Sequence, residues 1–365
     1  MQSNNYAIIM AGGIGSRFWP WSTTQRPKQF LDVLGTGKTL IQQTYERINR
    51  ICPTENILII TNQLYEETIA EQLPQIPRDN ILSEPSRRNT APCIAFGAFK
   101  IQKINPEANI LVAPADHIIL KEDLFVTIVE KGFEFTANNE ALLTIGIEPH
   151  KPETGYGYIQ SSEEILEEKP DQWQMGKVTQ FREKPDLDTA KEFVASGNFY
   201  WNAGIFIWSA KAILTAFEKY TPKLHRQFAE HDQSFNSSKE GQAIEEIYSR
   251  CDNISIDYAV MEKADNVFVI STDIGWSDLG NWSALHEISK TDEAGNAANG
   301  DQIIIHNSKN TLVKANIGKV TVVDGLEGYI VVDDEKALLI CKKENEQNIK
   351  QFVNEVKEKF GEDYV

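Results

Sequence analysis

Short apolar runs alternate with helical patterns through the first third of the chain. Ala7-Ile8-Ile9-Met10, Ile57-Leu58-Ile59-Ile60 and Ile110-Leu111-Val112-Ala113 are continuous apolar runs, the pattern of strands covered on both faces of a parallel sheet. Between them, apolar positions recur at helical spacing over 40–51, along a more polar stretch over 63–73, and at Ala91, Ile94, Ala95, Ala98 and Ile101. Strand, helix, strand, helix predicts an α/β architecture: a Rossmann-like, mixed but mostly parallel sheet flanked by helices. From 141 to 210 the pattern turns strand-rich, over 141–147, 156–160, 177–183 and 199–209, and reads as a mixed extension of the same sheet. Helical patterns cover 210–250 and 257–263, and Val267-Phe268-Val269-Ile270 is a further strand.

The pattern changes after His286. Residues 291–301 are small and polar, a boundary loop, so the expected domains are 1–290 and 291–365. The second carries short β runs at 303–305, 311–313, 320–323, 329–332 and 337–341. Ile349, Phe352, Val353, Val356 and Phe360 then form one apolar stripe, a terminal helix that docks on the small β domain. No internal repeat stands out.

Composition narrows the function classes. Of 365 residues, 41% are apolar and 24% charged, ordinary for a globular protein. Lys and Arg number 36 against 53 Asp and Glu, and the resulting net charge of −17 argues against a nucleic-acid partner. The charge is uneven, however: the first fifty residues carry six basic side chains and two acidic ones. A basic island in an acidic protein points to a small anionic ligand. Cys52, Cys93, Cys251 and Cys341 form no C-x-x-C pair, so neither a zinc ribbon nor a redox motif is expected. The chain start has no basic region ahead of its short apolar run, and no window is apolar enough to span a membrane. A cytoplasmic protein with no membrane partner is expected.

The strongest chemical feature follows the first strand directly: Ala11-Gly12-Gly13-Ile14-Gly15-Ser16-Arg17, then Arg26-Pro27-Lys28-Gln29. Glycines let a backbone turn sharply and bring N–H groups against an anion, and Arg17 and Lys28 add fixed positive charge. The dinucleotide fingerprint G-x-G-x-x-G fails because Phe18 stands where its third glycine belongs. A Walker loop fails as well: Gly37-Lys38-Thr39 fits its end, but Asp32 stands where its first glycine belongs. Asp116 lies just past the strand at 110–113, at the edge where open α/β sheets bind ligands. It pairs naturally with Asp278 for a hard cation such as Mg²⁺, which takes one or two carboxylates plus phosphate oxygens; the plain alternative is a helix cap or turn.

The run G-G-x-G-x-R with the later Pro27-Lys28-Gln29 resembles the signature of the sugar-1-phosphate nucleotidylyltransferases, most of all their mannose-1-phosphate guanylyltransferase branch. Further segments agree in order: Glu84-Pro85 with Arg88-Asn89-Thr90-Ala91-Pro92, Pro114-Ala115-Asp116-His117, Thr154-Gly155-Tyr156-Gly157, Glu183-Lys184-Pro185, Trp201-Asn202-Ala203-Gly204, Ser255-Ile256-Asp257-Tyr258, and Gly275-Trp276-Ser277-Asp278. The resemblance implies attack of mannose 1-phosphate on GTP, giving GDP-mannose and pyrophosphate. It assigns Arg17, Lys28 and Lys184 to catalysis and Asp116 and Asp278 to Mg²⁺. Ala11, Gly12, Gly13, Gly15, Glu84, Asn89, Thr90 and Pro92 go to the nucleotide, with the Glu84 carboxylate accepting guanine's N–H donors. Gly155, Tyr156, Gly157, Glu183 and Asn202 go to the sugar. A C-terminal left-handed β-helix that joins subunits is also implied, hence a homodimer.

Each assignment has a bland counterpart. Glu183-Lys184 reads equally as an exposed ion pair before a proline turn, and the glycines around Tyr156 as a β turn. Asp186-x-Asp188 imitates the D-x-D site of glycosyltransferases but stands before a helical stretch, where a cap is expected. Three rival functions share parts of the pattern: a relative using another sugar or nucleotide, a glycosyltransferase consuming a nucleotide sugar, and a nicotinamide oxidoreductase. The last is disfavoured by the broken fingerprint and the basic loop.

Overall fold

The computed structural model describes residues 3–365. The chain divides into two compact units, one built from the residues up to Gly12, Thr44–Ala115 and Ile119–Trp276, the other from Gly13–Gln43, Asp116–Ile118 and Ser277–Val365. The second unit therefore combines the region after Trp276 with the glycine-loop segment near the N-terminus.

The first unit is organised by a nine-stranded sheet. Across it the strands run Ile81–Glu84, Ile57–Asn62, Asn5–Met10, Asn109–Pro114, Phe199–Ser209, Leu142–Ile147, Val267–Thr272, Trp173–Glu183 and Gly157–Lys169. Only Phe199–Ser209 and Trp173–Glu183 run against the rest, so the sheet is mixed and mostly parallel, as the apolar runs predict. Ile8, Ile9, Ile59, Ile60, Leu111 and Val112 are all fully buried, because helices cover both faces of these strands. Gly157–Lys169 runs well past the 160 boundary expected from sequence. Its second half, from Glu163 on, is exposed, and that face offers no apolar pattern to read.

Two further differences from the sequence reading have local causes. The helical stretch 210–250 is three helices, Ala210–Tyr220, Pro222–Ala229 and Glu240–Arg250. Pro222 cannot continue the first helix but suits the opening turn of the next. The stretch 257–263 forms one wide π-type turn, Asp257–Met261, a form that recurs at functional sites. Asp186 does cap the helix Leu187–Ser196, its carboxylate accepting the Thr189 N–H at 2.9 Å.

In the second unit, Ala297–Asn299, Leu312–Lys314 and Tyr329–Asp333 stack as parallel rungs, with Leu338–Lys342 antiparallel at the edge. Ile303–His306 and Thr321–Asp324 pair on another side. The first rung lies inside the stretch expected to be a loop. Ala297 pairs with Leu312 and Leu312 with Ile330; these offsets differ, which is why no repeat is visible in the sequence. The core of this unit joins Phe18, Leu31 and Val33 to Trp282, Leu312 and Ile330. The Phe18 and Trp282 ring centres are 4.8 Å apart, and the Trp19 indole N–H donates to the Tyr364 carbonyl at 2.7 Å.

Close packing in the first unit gives a test. A Cβ on Gly97, in the helix Thr90–Ile104, would lie 2.5 Å from Ile8 Cδ1 and 2.9 Å from Ile8 Cγ1. Ile8 is fully buried and has nowhere to retreat. Gly97→Ala gains about 1 kcal/mol of helix propensity but overpacks the core at a cost of about 1–3 kcal/mol. A net loss of stability is expected in urea denaturation; an unchanged or raised midpoint would show that the helix shifts freely.

Candidate active site

Within the second unit the glycine loop is built to present donors. Gly15 adopts φ 71°, and a Cβ there would sit 2.6 Å from Lys28 Cβ, so glycine is required on both counts. The loop's carbonyls are tied back: Gly13 O accepts the Gln29 amide at 2.9 Å, and Ile14 O accepts the Ser22 hydroxyl at 2.6 Å and the Lys28 N–H at 3.3 Å. Among the described residues no acceptor takes the backbone N–H groups of Gly13, Ile14, Gly15 or Ser16. Four consecutive unspent donors form an anion-receiving nest. Arg17 follows at once, and its buried Nε has no partner while Nη1 makes only a long contact, 3.5 Å, to Gly280 O.

Lys28 is 3% exposed, and its ammonium is fully committed. It donates to Asp278 O at 2.7 Å and Leu279 O at 2.9 Å, and pairs with Asp116 Oδ2 at 2.8 Å. Three protons meet three oxygens. Burial alone would raise the Asp116 carboxyl, but the Lys28 charge, with a smaller contribution from His117, holds it below its ordinary value and therefore ionised. Leu279 holds φ 46°, a conformation unfavourable for a bulky residue. Asp278 Oδ1 accepts the Gly280 N–H at 2.8 Å and Ser277 Oγ the Leu279 N–H at 3.2 Å. The structure thus brings Arg17, Lys28, Asp116 and Asp278 together around one turn.

The remaining sequence-derived residues lie in the first unit. Glu84 ends its strand 5% exposed. Its Oε1 accepts the Tyr248 hydroxyl at 2.8 Å, and its Oε2 lies 3.5 Å from where a Gly12 Cβ would be. Burial pushes its carboxyl up to about 7, opposed by the Tyr248 hydrogen bond and the Arg87 charge. The Ala11 carbonyl accepts the Thr61 hydroxyl at 3.0 Å. Asn89, at φ 70°, caps the helix Thr90–Ile104 through the Thr90 N–H. Thr90 Oγ1 accepts the Ile256 N–H at 2.9 Å, and Pro92 sits in the first helical turn, where its missing N–H costs nothing. These side chains serve the backbone around Glu84.

Glu183 and Gly157 are paired across neighbouring strands. A Cβ on Gly157 would come within 2.4 Å of Glu183 Oε2 and 3.3 Å of Asn202 Cβ, so the three converge. Lys184, at φ 47°, places its ammonium on Glu183 Oε1. Tyr156 packs edge-on against Trp201 at 5.1 Å and Trp276 at 5.3 Å, and Gly155 N–H donates to Glu153 Oε1 at 3.1 Å. Of the residues outside Asn and Asp that adopt positive φ, the described chain holds Lys184, Leu279 and glycines. Tyr248 and Asp257 are the site neighbours that sequence reasoning misses. Tyr248 lies in an ordinary helical pattern, whereas Asp257 stands within a family-like segment without a role.

A family model described as nucleotidyl transferase matches residues 6–295. The chain belongs to the nucleotidyl transferase family. A second model, the MannoseP isomerase/GMP-like beta-helix domain, matches residues 301–356. The Escherichia coli K12 mannose-1-phosphate guanylyltransferase is 39% identical over 98% of this chain and 74% of its own length. The Klebsiella pneumoniae mannose-1-phosphate guanylyltransferase is 36% identical over 98% and 75%. Among solved structures, a Thermus thermophilus protein described as a mannose-1-phosphate geranyltransferase superposes with a TM-score of 0.84 at 29% identity, covering 97% of this chain and all of that one. The transferase is thus placed with the mannose-1-phosphate guanylyltransferases, and nucleotidyltransferases of this family typically use a divalent metal. Among its described residues no helix is long and apolar enough to cross a membrane.

The donor set fits such a metal. Asp116 and Asp278 offer hard carboxylate oxygens, Asp116 in its ionised form. Among the described residues no group of three or more His, Cys, Asp or Glu side chains is arranged to hold an ion. Two carboxylates suit an ion that takes its remaining ligands from phosphate and water.

The buried Glu84 predicts a pH effect. Its carboxyl titrates near 7 in the fold and near its ordinary 4.5 when unfolded. Between these values the folded chain holds a proton that the unfolded chain has lost. Stability from this group is therefore complete below the lower value and lost as pH rises through the upper one. Glu84→Gln cannot ionise, so the transferase should gain about 3 kcal/mol over the native chain at about pH 8 and much less at about pH 5. Equal differences in denaturation at both pH values would show that Glu84 is not desolvated.

Proposed function

We propose that the transferase makes GDP-mannose and pyrophosphate from mannose 1-phosphate and GTP. The observation that carries this reading is the run of four unspent N–H donors from Gly13 to Ser16, followed by Arg17, whose buried Nε has no partner. Such an array receives a polyphosphate. Arg17 takes phosphate oxygens and neutralises the charge that develops on departing pyrophosphate, a task its planar fork suits. Lys28 holds the Asp116 carboxylate and the 278–279 carbonyls in place and keeps a positive charge beside the reacting phosphates. Asp116 and Asp278 would hold Mg²⁺, which when bound supplies charge neutralisation and a template for the phosphates.

Glu84 in its ionised form accepts guanine N–H donors, as carboxylates accept from base amino groups elsewhere. Gly155, Tyr156, Gly157, Glu183 and Asn202 form the sugar subsite, and Lys184 guides the sugar's phosphate. A sugar phosphate is largely dianionic at neutral pH, by analogy with phosphoamino acids, so the nucleophile needs no general base. Positioning and charge cancellation are the whole catalytic problem. All four cysteines are free and buried, which suits a reducing cytoplasm.

Pyrophosphate release, measured across four nucleoside triphosphates with mannose or glucose 1-phosphate and with or without Mg²⁺, tests the reading. Highest turnover is expected with GTP, mannose 1-phosphate and metal; turnover that ignores the base or the sugar overturns it. Arg17→Ala should lower kcat/KM about a hundredfold, as loss of one transition-state donor does, and a loss under about fivefold would make it a bystander.

We also propose a homodimer. Val320, Val322, Leu338 and Ile340 stand exposed around one groove of about 380 Å³ on the C-terminal strands. These four apolar side chains share the groove with Lys319 and Asp324, and an exposed apolar patch of this kind is what an isologous contact between two copies covers. Light scattering should give twice the chain mass, falling to one when Val322 and Ile340 are changed to Lys; a monomeric native chain overturns it.

A further inference from the structure

The family resemblance gives Asn202 to the sugar, yet the fold already uses most of it. Its Oδ1 accepts the Gly204 N–H at 3.2 Å and lies 3.0 Å from the Thr144 hydroxyl, whose single proton also faces the Ile205 carbonyl at 3.1 Å. The backbone donor settles the orientation of the amide. The amide nitrogen then has one direction to point, and it donates to Asp257 Oδ1 at 3.0 Å. This is a chain of three side chains, Thr144 to Asn202 to Asp257, whose last member is a carboxylate.

Asp257 is an expensive group to keep where it is. It opens the wide turn Asp257–Met261 and is half-buried. Burial, and next the nearby negative charge of Glu183, push its carboxyl up to about 6. Its own backbone N–H, the Lys184 charge and the Ser255 hydroxyl give partial relief, but the Lys184 ammonium sits on Glu183. Among the described residues no basic group lies within ion-pair distance of Asp257. A half-buried acid beside a second acid is costly to keep charged, and a hydrogen-bond donor brought to it lowers that cost.

The chemistry narrows what that donor is. A phosphate would be repelled by two carboxylates. A neutral hydroxyl donor satisfies a carboxylate oxygen at no charge cost, and a sugar presents several. The place is right too, because Asn202 Cβ and Glu183 Oε2 crowd against the backbone of Gly157, so Asn202 and the acid it holds stand beside the other residues given to the sugar.

We propose that Asp257 is a specificity-determining residue of the sugar subsite: Asn202 fixes one of its oxygens, and the other accepts a hydroxyl of the bound sugar 1-phosphate. Asn202 is then a positioning residue, acting through Asp257. The inference rests on the sugar 1-phosphate reading above and deepens it by naming which group selects the hydroxyl.

The test is Asp257→Asn, which keeps an oxygen for the Asn202 amide and removes the second acceptor. KM and kcat are measured with mannose 1-phosphate and with its analogues lacking one ring hydroxyl each. KM for mannose 1-phosphate should rise about tenfold to a hundredfold, the loss of a hydrogen bond to a charged group, while KM for GTP stays within about twofold. One deoxy analogue, already poor with the native enzyme, should lose almost nothing further, because the variant and the analogue remove the same contact. Asn202→Ser should shift the same KM in the same direction by less, and it serves in place of Asp257→Asn if that chain does not fold. An unchanged KM, or an equal loss on every analogue, overturns the proposal and leaves Asp257 a structural acid. If the native enzyme turns over no sugar 1-phosphate at all, it is the functional reading that fails, and this inference with it.

Discussion

The second unit is held to its chemistry by one buried ammonium. Lys28 carries a full charge at 3% exposure, which is tolerable only because three oxygens surround it: a carboxylate from Asp116 and the carbonyls of Asp278 and Leu279. Truncating such a group leaves its partners unpaired, and that loss is larger than the net worth of the pair. The constraint reaches outward in both directions. The Lys28 stem forbids any side chain at Gly15, so the anion nest takes its shape from the same residue. Leu279 holds φ 46° while its carbonyl accepts from Lys28 at 2.9 Å.

Three acids of the chain have been sent to different tasks by their surroundings. Asp116 stays ionised because Lys28 outweighs its burial. Glu84 has a hydroxyl and a more distant Arg87 but no ammonium, and burial wins. Asp257 has an amide and a neighbouring acid, and burial wins again, reinforced by like charge. Only the first is in the state a cation requires. The other two meet neutral donors, and a ligand that supplies N–H or O–H groups lowers the cost of their charge when it binds. The same physics that separates acid from base in a proton-transfer enzyme here separates a carboxylate held ionised by an ammonium from two whose burial raises them beside neutral donors.

Much of this is legible in the sequence, and the reasons differ by element. The central strands are plain because burial on both faces writes an unbroken apolar run, as at Ile57-Leu58-Ile59-Ile60. The glycine loop is plain because a tight anion nest admits few residue types. The C-terminal rungs are visible as strands but not as a coil, since the offsets from Ala297 to Leu312 and from Leu312 to Ile330 differ. The grouping of Gly13–Gln43 with the chain after Trp276 leaves no local trace, because it depends on aromatic packing such as Phe18 on Trp282, and a single buried aromatic does not name its partner. Side-chain commitments are the least legible. Lys28 and Asn202 look alike from sequence as polar residues available to a ligand, and only geometry shows that one is enclosed by protein oxygens and the other is aimed at Asp257.

The placement of strain follows from these commitments. Asn, Asp and Gly visit the left-handed region at little cost, so their presence there says little. Lys184 and Leu279 pay for it, and each is the residue next to a carboxylate whose direction matters, Glu183 and Asp278. In both cases the neighbouring backbone is pinned: Lys184 N–H donates to Tyr156 O at 3.2 Å, and Leu279 N–H to Ser277 Oγ. A relaxed φ at either position would swing the preceding carboxylate away from the groups that now meet it. Strain of this kind persists only where surrounding structure over-determines the backbone, and here it does so through a sheet edge in one unit and a buried ammonium in the other. Glycine at Leu279 would remove the strain and also the packing that fixes the turn, since Leu279 is fully buried in the aromatic core around Trp282; the exposed Lys184 side chain is held instead through its ammonium on Glu183. The fold therefore keeps a bulky residue in an unfavourable conformation because the side chain and the backbone direction are needed together.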